Sequence, residues 1–202
     1  MEKLMVYSQP SGSVAEAYRA MCINMLAVLG ERKIIEVAGV NEDINASLVT
    51  ANLAITFAQA GKKVLLIDGN LRKPHLHDFF NLQNTKINNS FDANDFGDFV
   101  QQTAQVNLEI LTWNKDIATP LEVLLSSSLQ QTFEVMRSKY DIVLINAPYV
   151  GEVSDAVALG TKTDGVVLVF VNKKDKVKRA LKAKEMLLQA GVNVLGCVLD
   201  KV

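Results

Sequence analysis

Short unbroken runs of Val, Ile and Leu alternate along this chain with longer stretches in which apolar residues recur every three or four positions. The short runs predict strands at Ile34–Val40, Lys63–Asp68, Leu108–Leu111, Asp141–Asn146, Val166–Val171 and Val194–Leu199. They read as Val/Ile/Leu stretches and not as an in-and-out alternation, which is the pattern of a parallel sheet covered on both faces. Helical patterns lie between them. Strand and helix in strict turn predict an α/β fold: a doubly wound, mainly parallel sheet with helices on both faces and right-handed crossovers.

Several helix ends are written in the sequence. Ser13 and Glu16 have capping-box spacing, with Tyr18, Cys22, Met25 and Leu29 marking one face before Gly30. Thr119-Pro120-Leu121-Glu122 repeats that spacing with proline at the first helical position, and Leu121, Leu125, Leu129 and Phe133 follow at steps of four. Gly61 and Gly191 each stand where a helix must end before a strand. Leu82–Asp98 is polar and asparagine-rich, and reads as a surface loop or a poorly formed helix.

At 202 residues and 49% apolar content, residues 1–202 suffice for one domain with a full core. The net charge of −1 gives no overall electrostatic case for nucleic acid. Two unpaired-looking cysteines, Cys22 and Cys197, suit a reducing cytoplasm. Neither a signal peptide nor a run of about 18 apolar residues is present, so membrane association is expected only through a partner.

In open α/β sheets a ligand binds beyond the carboxyl ends of the strands. The loop after the first strand, Gly39 to Ser47, leads into a helix with Val49, Leu53 and Phe57 on one face. Phosphate recognition there needs glycines to let backbone N–H groups approach, a lysine for the outer phosphates and a hydroxyl for Mg²⁺. Only the hydroxyl of Ser47 is kept, and Asp43 adds negative charge in the path of a phosphate.

Elsewhere the wording is specific. Glu16-Ala17-Tyr18-Arg19 with Asn24, Ala51-Asn52-Leu53-Ala54, Val64-Leu65-Leu66-Ile67-Asp68 with Leu71-Arg72-Lys73-Pro74, Thr119-Pro120-Leu121-Glu122, Asp141–Pro148 and Val192–Gly196 follow one another at consistent spacing. Together they closely resemble the bacterial tyrosine kinases of capsule and exopolysaccharide synthesis, a branch of the deviant P-loop ATPases that includes the MinD and ParA types. The resemblance implies a P-loop NTPase-like three-layer α/β/α domain and a site for Mg·ATP. By the same resemblance the phosphate-loop glycines correspond to Asp43 and Asn45, and the lysine to Ala46. The Walker A′ motif keeps Asp68 but has Asn70 for its second aspartate, and the Walker B aspartate is Asn146.

Phosphoryl transfer rests on positioning and on Lys and Mg²⁺ charge, so these replacements predict a catalytically impaired homologue with no cofactor. Asp68 is the remaining base candidate, or a leftover strand-end carboxylate. Ser47 and Asp68 are the metal candidates if Mg²⁺ is still held. An asparagine can ligate through its carbonyl oxygen and tolerates φ > 0, so the loop can keep a similar path.

The resemblance also implies a Glu-x-x-Arg-x-x-Arg assembly helix and a tyrosine-rich tail. Cys22 replaces the second arginine, and Tyr7, Tyr18, Tyr140 and Tyr149 are scattered. Lys173, Lys174, Lys176, Lys178, Arg179, Lys182 and Lys184 form a basic run opening the last helix, either a solvated face or an attraction for anionic lipid or an acidic tail. His75 and His77 are too weak a metal signal to receive a role.

The resulting expectation is a cytoplasmic binding or regulatory component of polysaccharide biosynthesis and export. It would sit at the inner face of the plasma membrane through a partner, and a homo-oligomer stays open. The expected partner is the cytoplasmic tail of a membrane-anchored chain-length adaptor or a paralogous active kinase. The alternatives are an active kinase or ATPase with an aberrant site, and a MinD/ParA-like positioning protein. The latter expects a membrane-targeting amphipathic tail, a pattern not seen after Leu199.

Overall fold

The computed structural model describes residues 4–42, 44–83, 96–113, 119–151, 154–171 and 174–200, without the side chains of 174–176. Its strands are β1 (Ile34–Gly39), β2 (Val64–Asp68), β3 (Val100–Gln102), β4 (Leu108–Leu111), β5 (Ile142–Asn146), β6 (Gly165–Val171) and β7 (Val194–Asp200). They form one sheet in the order β3-β4-β2-β5-β1-β6-β7. All pairs are parallel except β3 with β4. The doubly wound parallel sheet read from the sequence is therefore observed. β1, β2 and β5 are buried along their whole length, which is why Val, Ile and Leu dominate them without alternation.

The helices are α1 (Met5–Ser8), α2 (Ser13–Leu29), α3 (Ala46–Gln59), α4 (Leu76–Phe80), α5 (Phe96–Phe99), α6 (Pro120–Leu125), α7 (Ser127–Lys139), α8 (Asp155–Gly160) and α9 (Lys174–Gln189). The one apolar face expected of α3 is an underestimate. From Ala46 to Ala58 nearly every residue is buried, because α1 and α2 cover the side away from the sheet. Its buried polar side chains are satisfied along the helix: Thr50 donates to the Ala46 carbonyl at 2.7 Å and Thr56 to that of Asn52 at 2.8 Å. Asn52 donates to the Leu48 carbonyl and accepts from the Val6 backbone N–H at 3.0 Å, tying α1 to α3.

Three local readings are corrected. The capping box at Ser13 and Glu16 does not form: Gly12 is the N-cap, Ser13 is already helical, and Glu16 pairs with Arg19 at 2.7 Å. Thr119 is an N-cap and Pro120 opens the helix, but the Thr119 side chain makes no capping bond. The leucine series is not one helix face, because α6 stops at Ser126, whose hydroxyl accepts from the Leu129 N–H at 3.1 Å and starts α7. Leu125 is consequently exposed, while Val123 and Leu124 are buried.

Glycine punctuation holds where left-handed backbone is needed. Gly61 and Gly191 follow α3 and α9 with φ of 81° and 75°, and Gly30 ends α2 at φ 57°. Of Leu82–Asp98, residues 84–95 lie outside the described residues. Its far end takes the helical alternative of that reading as the short α5, anchored by the buried Phe96.

Two carboxylates at strand entries clamp the frame. Asp164 accepts from the backbone N–H groups of Lys33 and Ile34 at 2.8 and 2.9 Å, and from Arg137 through two bonds of 2.6 and 2.7 Å. Burial pushes its carboxyl up, but the Arg137 and backbone donors outweigh burial and hold it below the ordinary aspartate range. Asp141 accepts from the Lys63 N–H at 2.8 Å, fixing the entry of β2 beside that of β5. Among the described residues no helix is long and apolar enough to cross a membrane.

Candidate functional site

The chain reaches β5 only after laying down β2 and β4, yet β5 inserts between β2 and β1. That crossing brings three strand ends together. Asp68 closes β2, Asn146 closes β5, and the β1 exit runs through Gly39 into the loop before α3. Asp68 and Asn146 are register partners, as are Val37 and Asn146, so the ladder itself fixes these motif positions relative to one another. Of the residues named from sequence, Asp68, Asn70 and Asn146 are brought together, Asn45, Ala46 and Ser47 stand at the start of α3, and Asp43 lies outside the described residues.

Asp68 is fully buried, and both of its carboxylate oxygens are occupied. Oδ2 accepts from the backbone N–H groups of His75 and Leu76 at 2.7 and 2.9 Å. Oδ1 accepts from the Asn70 N–H at 3.3 Å and from Asn146 Nδ2 at 3.2 Å. Burial raises its protonation range, opposed by the N–H groups of Leu76 and His75, by the His75 charge and by Asn146. These donors fold the segment after β2 into the turn that starts α4. Gly69 is required there for close approach: an added Cβ would fall 2.7 Å from Ile145 Cγ2 and 2.8 Å from the Asn146 carbonyl oxygen.

Asn70 also bonds locally. Its side-chain oxygen accepts from the Lys73 N–H at 3.2 Å, beside the backbone bond from that N–H to the Asn70 carbonyl at 3.1 Å. Asn45 is the N-cap of α3, accepting from the Leu48 N–H at 3.1 Å. Its φ of −80° means the tolerance of asparagine for positive φ is not used there. Ala46 opens the helix and Ser47 follows it, both buried. The Oδ1 of Asn146 is buried without a hydrogen-bond partner among the described residues.

Sequence reading missed one site-forming carboxylate. Asp155, 1% exposed at the start of α8, accepts two bonds from Arg72 at 2.7 and 3.0 Å, locking the segment after β2 onto α8. Its only signal was a Ser-Asp pair ahead of a short apolar run. His75 contributes its backbone N–H here, and among the described residues no group of three or more His, Cys, Asp or Glu is placed to hold a metal. A groove of about 770 Å³ lies elsewhere, between α2 and β7, with Tyr18, Met21, Met25, Leu195 and Val198 in its wall and none of Asn45, Ala46, Ser47, Asp68, Asn70 and Asn146. Burial first, then the charge of Asp200, raises the Tyr18 hydroxyl to about 12, against a bond to Asn52 that lowers it.

With this geometry in place, comparison with known proteins is direct. Residues 32–190 match the family model described as AAA domain. The tyrosine-protein kinase YwqD of Bacillus subtilis is 33% identical over 96% of this chain and 83% of its own length. The tyrosine-protein kinase CpsD of Streptococcus agalactiae is 30% identical over 93% of this chain and 83% of its own. Among solved structures, the chimerical protein CapA2B2 superposes with a TM-score of 0.90 at 27% identity, covering all of this chain and 91% of that one. The kinase domain of Escherichia coli ETK gives 0.88 at 26% identity, covering 98% and 80%. A septum site-determining MinD of Pyrococcus horikoshii, at 24% identity and TM-score 0.70, shares the fold over 83% of this chain and 69% of that one. The chain belongs to the bacterial tyrosine-protein kinase family, on the P-loop NTPase fold.

Proposed function

We propose that this chain is a catalytically impaired member of its family, acting by contact as a binding or regulatory component in capsular or exopolysaccharide biosynthesis and export. The observation that carries this reading is the inward engagement of the motif side chains. Asp68 spends both oxygens on the chain itself, Asn70 and Asn45 cap their own backbone, and Asn146 donates to Asp68.

The residues present do not fit Mg·ATP. Ala46 supplies no cation at the position the resemblance gives to lysine. The N–H of Leu48 at the α3 start, a donor of the kind that binds phosphate at helix N-termini, is already taken by Asn45. Asp68 would have to abandon three backbone donors to reach a metal. No step of phosphoryl transfer is therefore assigned to this site.

The partner in this reading is the cytoplasmic tail of a membrane-anchored chain-length adaptor or a sister kinase. The apolar groove beside α2, with Val14, Val28 and Leu199 exposed along it, supports a role in contact. One observation favours the rival reading of an active enzyme with an aberrant site: the unpartnered Asn146 Oδ1 is an oxygen a metal can use. Autophosphorylation and ATP hydrolysis assays on the purified chain separate the two. Rates at the no-enzyme background, with an adaptor or kinase co-purifying from cells, support the proposal. Turnover comparable to an active relative refutes it.

A further inference from the structure

Helix α9 has an inner face fixed by packing and an outer face with an unusual composition. Ala183 and Leu187 are buried against the β6 and β7 side, at 2% and 0% exposure. On the outside, Val177, Leu181 and Leu188 are 41%, 57% and 53% exposed. At about 100° per residue these three fall within roughly 40° of arc, so they form one apolar stripe along the helix. Lys184 falls in the same sector, between Leu181 and Leu188, and Lys178 and Lys182 flank it on one side. Lys178, Lys182 and Lys184 are exposed, and none takes part in a described ion pair; Arg179 lies about 180° round the helix from the stripe, off this face. Glu185 is the one acid among residues 177–189. In a chain of net charge −1 this face is a local concentration of positive charge.

We propose that the outer face of α9 docks on an anionic bilayer surface. Val177, Leu181 and Leu188 enter the headgroup boundary, and Lys178, Lys182 and Lys184 beside them pair with lipid phosphates. The two chemistries on one face decide between candidate partners. An acidic polypeptide or a nucleic acid would satisfy the cations and leave the leucines in water. A peptide also needs a groove or a free strand edge, whereas a helix packed on a sheet presents a convex face, which suits a plane. The proposal does not depend on the nucleotide site.

The test is sedimentation of the full chain with two vesicle types: phosphatidylcholine alone, and an equal mixture with phosphatidylglycerol. Binding is expected only to the anionic vesicles and should fall with added salt. Lys178→Glu with Lys182→Glu should weaken it more than about tenfold. Leu181→Ser with Leu188→Ser should weaken it about three- to tenfold at unchanged charge. All four side chains are exposed, so thermal unfolding should match the parent and exclude misfolding as the cause. Equal binding to both vesicle types, no binding to either, or full binding by either double variant overturns the proposal. Capture by polyglutamate without vesicle binding would identify an acidic polypeptide partner and also overturn it.

Discussion

Asn146 donates its Nδ2 hydrogen to Asp68 Oδ1 across 3.2 Å, from the position directly opposite it in the β2–β5 ladder. Two motif positions that the family resemblance assigns to aspartates thus form a neutral-to-acid pair deep in the sheet, with no solvent between them. An asparagine there donates to its neighbour, where an aspartate would repel it. This relationship makes Asp68 part of the frame.

Truncating Asp68 should therefore unfold the region more than it alters any ligand response. Asp68→Ala leaves the N–H groups of Asn70, His75 and Leu76 and the Asn146 amide without their acceptor. The expected loss is about 3–5 kcal/mol in urea unfolding. A loss under about 0.5 kcal/mol, within the usual range for surface changes, would mean that the carboxylate has no structural task.

Restoring the acid at the end of β5 should harm the protein. Asn146→Asp sets two buried carboxyls within bonding distance, so one must take up a proton or both must repel. Stability should drop by about 2–4 kcal/mol at neutral pH, and further as pH rises. Unfolding measured with and without millimolar Mg²⁺ is decisive. Recovery of the parent's stability in Mg²⁺ would show that the site still assembles around a metal.

Glu36 gives a pH dependence of known sign. It is fully buried in β1 with neither oxygen hydrogen-bonded among the described residues, beside Gly160, Val166 and Val192. Burial pushes its carboxyl well above the ordinary glutamate range. The folded chain then keeps a proton that the unfolded chain releases above about pH 4.3. Its contribution is complete below that value and is lost as pH rises toward the folded value, by up to about 1.4 kcal/mol per pH unit. Glu36→Met should consequently gain stability over the parent, more at pH 8 than at pH 5. A difference that does not change with pH would contradict this assignment.

Asp164 works in the opposite direction. Its carboxyl is held below the ordinary range by Arg137 and two backbone donors. Its contribution is present above about pH 3.9 and disappears as pH falls through the folded value. Asp164→Ala should cost about 3–5 kcal/mol at neutral pH, because Arg137 and the two N–H groups lose their partner together. The deficit relative to the parent should shrink in acid unfolding; an equal deficit at pH 2 and pH 7 would exclude this origin.

The legibility of the sequence follows from what each element buries. β1, β2, β5 and β6 were readable because strands covered on both faces are rich in Val, Ile and Leu without in-and-out alternation, Glu36 in β1 notwithstanding. β3, Val100-Gln101-Gln102, was not, since a three-residue edge strand shows neither an apolar run nor a full alternation. The Leu121 to Phe133 spacing concealed the break at Ser126, because a serine that starts a new helix also fits within a continuous one. At the site, the motif positions were legible because the ladder places them. Their hydrogen bonds were less so: the Asn45 cap is a local bond that an asparagine ahead of a helix can signal, but that Asp155 holds Arg72 depends on tertiary geometry that no spacing encodes.

The central claim is that these inward bonds leave no competent site for nucleotide. Isothermal titration of Mg·ATP into the purified chain tests it most directly. The account predicts no binding heat up to millimolar nucleotide, with thermal unfolding unchanged. A dissociation constant in the micromolar range, worth about 8 kcal/mol of affinity, would contradict it.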